Sequence, residues 1–306
     1  MSNVVLADLE LRHLAALRAV AEEGSFGRAA TKLGYTQSAI SQQIGSLERI
    51  LGDSVFDRPG GPRAVRLTPT GSLLLSHANS ILDRVKVAEA DLSSLRCAET
   101  GHLAVGTFQS VSVHVLPQIL AELHQTHPEA EIELFESDEL DDLLGALRTG
   151  ALDLTFTASV FESDEFELRP LYTDPFVVMC PLDSTILPAA GPMPVELLEG
   201  TPMVAEHPTA CQFMIEEQLA RLGVSMNVVF RTSDNSAIQA MVRAGVGHAV
   251  APQLAVDRSD TQIAVRALEP PMEPRLIALA SVAGRSLPPI AEVFVQAAQR
   301  RCAELD

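Results

Sequence analysis

Apolar residues recur at helical steps through the first hundred positions and gather into short strand-like runs beyond them. Leu11, Leu14, Leu17 and Ala21 mark the inner face of a helix over about 6–22, ended by Gly24. Phe26, Ala29, Ala30 and Leu33 predict a second, short helix with Ser25 as its N-cap, and Gly34 permits the positive φ that ends it. Thr36 caps a third helix, whose buried stripe is Ala39, Ile40, Ile44, Leu47 and Leu51. Residues 25–51 therefore read as a helix–turn–helix. That motif lays the N-terminal half of its second helix in the DNA major groove. The polar positions there are Gln37, Ser38, Ser41 and Gln42. Gln bonds two edges of adenine, and Ser bonds a base or a phosphate.

The next stretch, VFDRPGGPRAVRLTPTG, has strand-like ends around a Pro-Gly-Gly-Pro turn and predicts a β-wing. Arg58, Arg63 and Arg66 flank it, placed to reach phosphates or the minor groove; the competing reading is a solvated surface hairpin. Thr68 and Pro69 then start a long helix running to about residue 98. Leu74, Ala78, Ile81, Val85, Ala88, Leu92 and Leu95 alternate at steps of four and three, the a/d seam of a coiled coil. A helix packed on its own domain would show a wider apolar face. The seam predicts a linker helix that dimerises.

From Gly101 strands and helices alternate. LAVGTF, EIELFES and LDLTFTA read as strands around the helices VHVLPQILAELHQTHP and DELDDLLGALRTG. FVVMC, TPMVAE, NVVFRT, VGHAVAP and RLIALASV read as later strands, with FMIEEQLARLG, SAIQAMVRAG and PPIAEVFVQAAQRR as helices. Such alternation implies α/β units with parallel sheets. Two sets of units suggest two lobes with a ligand cleft between them.

The net charge of −18 is not spread evenly. Residues 1–71 hold 8 Arg and Lys against 7 Asp and Glu, whereas residues 100–306 hold 11 against 29. Phosphate repels the acidic part and leaves the front end to face DNA. No apolar run is long enough to cross a bilayer, and the N-terminus has no secretory pattern. Cys97, Cys180, Cys211 and Cys302 form no CxxC pair and read as free thiols in a reducing cytoplasm.

The order of winged helix–turn–helix, long helix and two-lobed α/β domain resembles the LysR-type transcriptional regulators. The likeness is strongest over residues 11–71, in LRHLAALRAVAEEGSFGRAATKLGYTQSAISQQIGSLERILGDSVFDRP and LTPTG, and continues to phrases such as RAGVGHAVAP. The wing, PGGPRAV, is richer in Pro and Gly than in many members. The resemblance implies a winged helix–turn–helix domain over 1–67, a linker and dimerisation helix over 68–99, and a periplasmic-binding-protein-like effector domain over 100–306. Its first lobe covers about 100–172 and 271–306, and its second about 173–270. It also implies a cytoplasmic homodimer, further paired into a dimer of dimers, on an interrupted inverted repeat of double-stranded DNA near a promoter. RNA polymerase is a further candidate partner. A small effector in the cleft is expected to change the oligomer's shape and the DNA bend.

Carried over by position, Gln37, Ser38, Ser41 and Gln42 face bases, and Thr36 and Arg58 hold the backbone or the adjacent minor groove. Arg63 and Arg66 are weaker backbone candidates. For the effector, the resemblance points to the Thr107, Phe108, Gln109, Ser110 loop ahead of a helix, because helix starts bind anions. Ser137, His207, Thr209 and the Ser233 to Asn235 stretch complete the expected cleft, against a plain reading as N-caps and turns. Such Ser, Thr, Gln and Asn groups suit a small polar or anionic metabolite. No cofactor, metal or membrane is expected.

The rival reading is an α/β enzyme or small-molecule binder without a regulatory role. The chain has no GxSxG elbow, P-loop or HExxH. Gly245 and Gly247 begin only a weak dinucleotide-like pattern, and His124 and His127, at metal-like spacing, read as a solvated helix end. A two-lobed solute-binding protein would need an export signal and would carry no DNA-reading helix.

Overall fold

The computed structural model describes residues 8–57, 65–97, 101–158, 161 and 163–305, and in the long helix the side chains of 90, 91 and 93–97 fall outside the description. The chain divides into two compact units, residues 1–90 and 91–306.

The first unit is three short helices, a hairpin and the front of a long helix. α1 (Leu11–Glu23), α2 (Phe26–Leu33) and α3 (Gln37–Leu51) each end at a glycine. The glycine that matters most is Gly34, whose φ of 71° lets the chain reverse between α2 and α3. Leu14, Leu17, Val20, Ala29, Ala30, Ile40, Ile44 and Leu47 all enter one buried core. β1 (Phe56–Asp57) and β2 (Arg66–Leu67) pair antiparallel as the base of the predicted wing. Arg58, Arg63 and the Pro-Gly-Gly-Pro turn lie outside the described residues.

α4 (Pro69–Cys97) is capped by Thr68, whose Oγ1 accepts from Gly71 N at 3.0 Å. Gly71 lets this first turn press on the backbone just ahead of β1: a Cβ there would overlap the carbonyl oxygen of Val55. The structure corrects the seam expected on this helix. Ala78 and Leu82 are buried in the unit's own core, and Leu74 and Leu75 pack against it. Leu74 and Ala78 therefore face inward at the front of α4. Steps of four from Leu74 reach Leu82, which the heptad reading left out. Of the other seam positions, Ile81, Ala88 and Leu92 are exposed, Val85 is half-buried, and the Leu95 side chain lies outside the described residues. Arg18 of α1 also holds Asp83 of α4 at 3.2 Å. These contacts carry the first compact unit to residue 90, beyond the expected boundary at 67.

The second unit contains two larger sheets. β3 (His102–Thr107), α5 (Gln109–His114), α6 (Leu116–Thr126), β4 (Glu131–Glu136), α7 (Leu140–Thr149), β5 (Leu154–Thr157) and β6 (Phe166–Asp174) come first. β7 (Phe176–Pro181), β8 (Met193–Pro194), β9 (Pro202–Glu206), α8 (Ala210–Arg221), β10 (Asn227–Thr232), α9 (Asn235–Arg243), β11 (Ala249–Pro252) and β12 (Ile263–Glu269) follow. β13 (Arg275–Val282) and α10 (Pro289–Ala303) close the unit. The first sheet has the order β4-β3-β5-β13-β6, and the second β11-β7-β12-β8, with β9 and β10 as a separate parallel pair.

The sheets are mixed, which corrects the expectation of parallel sheets. β3 runs parallel to β4 and β5, but β13 is antiparallel to both β5 and β6, and β7 is antiparallel to β11 and β12. The cause is that the chain leaves the first sheet after β6 and returns only at β13. β6 and β12 also went unpredicted. The helix expected from Val113 breaks at Val115, where Pro117 opens a new one. α6 and α10 cover one face of the first sheet with Ile119, Leu123, Phe294 and Ala298, and α7 covers the other with Leu143 and Leu147. α8 and α9 bury Ile215, Leu219, Ile238 and Val242 with the second sheet.

Candidate functional site

Two surfaces carry chemistry, one in each unit. On α3 the N-cap Thr36 accepts from Ala39 N at 3.2 Å and its hydroxyl lies 3.0 Å from Ser38 Oγ. Ile40, Ile44 and Leu47 anchor the helix on its inner side. Its N-terminal half leaves Gln37, Ser38, Ser41 and Gln42 exposed, and Arg66 is exposed on β2. The face therefore offers amides and hydroxyls on a helix whose position is fixed by its core.

In the second unit a cleft of about 730 Å³, including its open mouth, lies among the two sheets' ends. Ser110, Ser137, Thr209 and Asn235 line it, as expected from the sequence. The other expected contacts do not. Thr107 is buried, with Oγ1 3.3 Å from Ser112 Oγ. His207 and Ser233 are exposed and outside the lining. Gln109 lines a hollow that shares Ser110 and Asn235 with the cleft, and its Oε1 accepts from Asn235 N at 3.0 Å. That bond ties the start of α9 to the start of α5.

The groups sequence reasoning missed are the charged ones. Asp174 ends β6 and Arg275 begins β13, so they mark the two points where the chain passes between the sheets. They face each other in register, and Arg275 Nε donates to Asp174 Oδ2 at 2.8 Å. Asp174 is fully buried and Arg275 is 5% exposed. The guanidinium also donates to Ser110 Oγ at 2.7 Å, lies 3.9 Å from Cys211 Sγ, and stacks 5.5 Å from the centre of the Phe108 ring. One residue thus links the hinge, the start of α5 and the start of α8. Glu206, at the end of β9, accepts from Thr209 Oγ1 at 3.3 Å. Burial, reinforced by the nearby Asp138 carboxylate, pushes its carboxyl up to about 7. Burial likewise pushes the Cys211 thiol up.

Residues 11–72 match the family model described as "Bacterial regulatory helix-turn-helix protein, lysR family", and residues 98–303 match "LysR substrate binding domain". The chain belongs to the LysR family. It is a DNA-binding transcriptional regulator with an effector-binding domain. The "DNA-binding transcriptional dual regulator OxyR" of Escherichia coli K12 is 32% identical over 81% of this chain and 80% of that protein. YfeR of Shigella flexneri, an uncharacterized HTH-type regulator, is 28% identical over 93% of this chain and 91% of its own length. Among solved structures, a Corynebacterium glutamicum OxyR C206 mutant superposes with a TM-score of 0.60 at 27% identity, covering 96% of this chain and 92% of that one. In this LysR-family chain, the helix–turn–helix match spans α1 to α3 and the β1–β2 pair, and the second match the unit that holds the cleft.

Proposed function

We propose that α3 reads base edges through Gln37, Ser38, Ser41 and Gln42, with Thr36 and Arg66 holding the backbone, and that the cleft of the second unit binds the effector. Arg58 and Arg63 keep their proposed backbone role from sequence position alone. The observation that carries the DNA reading is the exposed set of amides and hydroxyls in the first turns of α3, which buried Ile40, Ile44 and Leu47 hold in place. In the cleft, Ser110, Ser137, Thr209 and Asn235 join Arg275 and Glu206 as the polar contacts, against apolar walls from Phe108, Leu140 and Met214.

Self-association is proposed through the outward side of α4, where Ile81, Ala88 and Leu92 are exposed. The edge strands β4 and β10 expose Leu134, Phe135, Val229 and Phe230, which supports a second contact between copies. A dimer of dimers on an interrupted inverted repeat, placed to meet RNA polymerase in the cytoplasm, fits these surfaces.

Relatives named hydrogen peroxide-inducible genes activators raise an oxidant as an alternative signal, which would act here through a cysteine. The cysteine chemistry here favours a bound effector. Burial raises the pKa of Cys211 and so disfavours the thiolate, which is the reactive form. The buried thiols of Cys180 and Cys302 are pushed up to about 11.

Footprinting on the chain's own upstream DNA tests the reading face. Gln37→Ala should lose on the order of 1–3 kcal/mol of discrimination at one base position. Unchanged discrimination removes Gln37 from the reading set.

A further inference from the structure

Three charged residues line the cleft: Asp138, Glu206 and Arg275. The cation is already paired. Its Nε holds Asp174, its Nη2 holds Ser110 and its Nη1 meets Cys211. Arg231, the other guanidinium near Glu206, donates to the backbone carbonyl of Glu206 and to the Glu216 carboxylate. Among the described residues of the lining, no second cation balances Glu206 and Asp138.

Helix starts would ordinarily argue for an anion. Here several of the leading amides are already used. Gln109 N donates to Asp138 Oδ1 at the start of α5, and Gln212 N to Thr209 Oγ1 at the start of α8. At the start of α9, Asn235 N donates to Gln109, while Ser236 N and Ala237 N donate to Asp234. An anion entering this cleft would meet two carboxyl groups and a cation that is already paired.

The geometry points to an effector carrying a protonated nitrogen, an ammonium or amidinium on an apolar body, with that nitrogen seated against Glu206 near Asp138. This deepens the proposed function and rests on its reading of the cleft as the effector site. The body lies on Leu140, Leu143 and Met214, and the nitrogen supplies the hydrogen bonds that the carboxyl accepts. Glu206 faces Asp138 and Glu139 from the start of α7, Arg275 from β13, and Thr209 and Cys211 from the start of α8. The acidic neighbours raise its proton affinity and Arg275 lowers it. When the ammonium binds below neutrality, Glu206 gives its proton to solvent. Binding therefore strengthens as pH rises toward about 8.

Calorimetry on the full chain with phenethylamine, phenethyl alcohol and hydrocinnamate tests the class, because the three share a skeleton and differ in head group. The amine is expected to bind tightest, and its affinity to rise on the order of tenfold from about pH 6 to about pH 8. Glu206→Gln should cost the amine roughly tenfold or more and flatten that pH dependence; far-UV dichroism establishes that the variant is folded. Tightest binding of the carboxylate, no amine binding, or an amine preference that survives Glu206→Gln overturns the proposal. Ala210→Trp, which fills the cleft from the exposed first residue of α8, separates the two levels of inference. If the carboxylate binds and Ala210→Trp abolishes it, the cleft reading stands and the amine class falls. If amine binding persists in Ala210→Trp, the cleft is not where it binds, and both fall.

Discussion

Asp174 and Arg275 are separated by a hundred residues of sequence, yet each completes the other's burial. Removing one leaves a bare charge in a dry site. Asp174→Ala should therefore destabilise the second unit by about 3–5 kcal/mol, read by chemical denaturation. A change within the error of surface substitutions would show that Arg275 finds another partner. Glu206 behaves differently, because its cost depends on pH. Its carboxyl titrates near 7 in the fold against an ordinary 4.5, so the folded state holds the proton more tightly than the unfolded chain does. The stabilisation that this proton brings is full below about 4.5 and is lost as pH rises through about 7. Glu206→Gln keeps a neutral group throughout. The variant and the parent should melt together near pH 4.5, and the variant should melt a few degrees higher near pH 8. Equal melting at both pH values would place the carboxylate in an unstrained site. Neither charged group was legible in the sequence. Arg275 opens an apolar strand and Asp174 closes one, and nothing local marks two such positions as partners. Ser110, Thr209 and Asn235 were legible because they stand at helix starts, which local spacing does reveal.

Elements were legible where one face meets one core. α1 to α3 carry a clean helical period, their caps are Ser25 and Thr36, and glycines stand at their ends. α4 was read less well, because its apolar residues serve two purposes. Leu74, Ala78 and Leu82 turn inward at steps of four, while Ile81 and Leu92 stay exposed, and a heptad template blends the two sets. This division predicts opposite outcomes for neighbouring substitutions. Ala78→Asp buries an unpaired charge and should unfold the first unit, abolishing its cooperative thermal transition. Ile81→Asp should leave that transition intact and weaken the dimer, measured by analytical ultracentrifugation. A dimer indifferent to Ile81→Asp would move the contact between copies off this part of the helix. β6 and β12 escaped the sequence reading because Pro170 interrupts one and polar Arg266 and Glu269 dilute the other.

At the scale of the whole chain, the division of charge sets how DNA is met. The acidic surplus belongs almost entirely to residues 100–306, so binding rests on few cations at the front. Affinity should fall with salt at a slope set by those few cations, and Arg66→Ala should weaken all sequences alike while flattening the salt slope by about one charge. Filter binding across a salt series checks it, and loss at a single base position would make Arg66 a reader of sequence.

β13 completes the first sheet between β5 and β6, although it is among the last segments in the chain. A ribosome releases α1 to α3 long before it makes the strand that carries Arg275. The nucleic-acid reader is thus able to fold early, whereas its sensor must wait for β13. Messages cut short upstream of that strand would yield a reader without a finished effector domain.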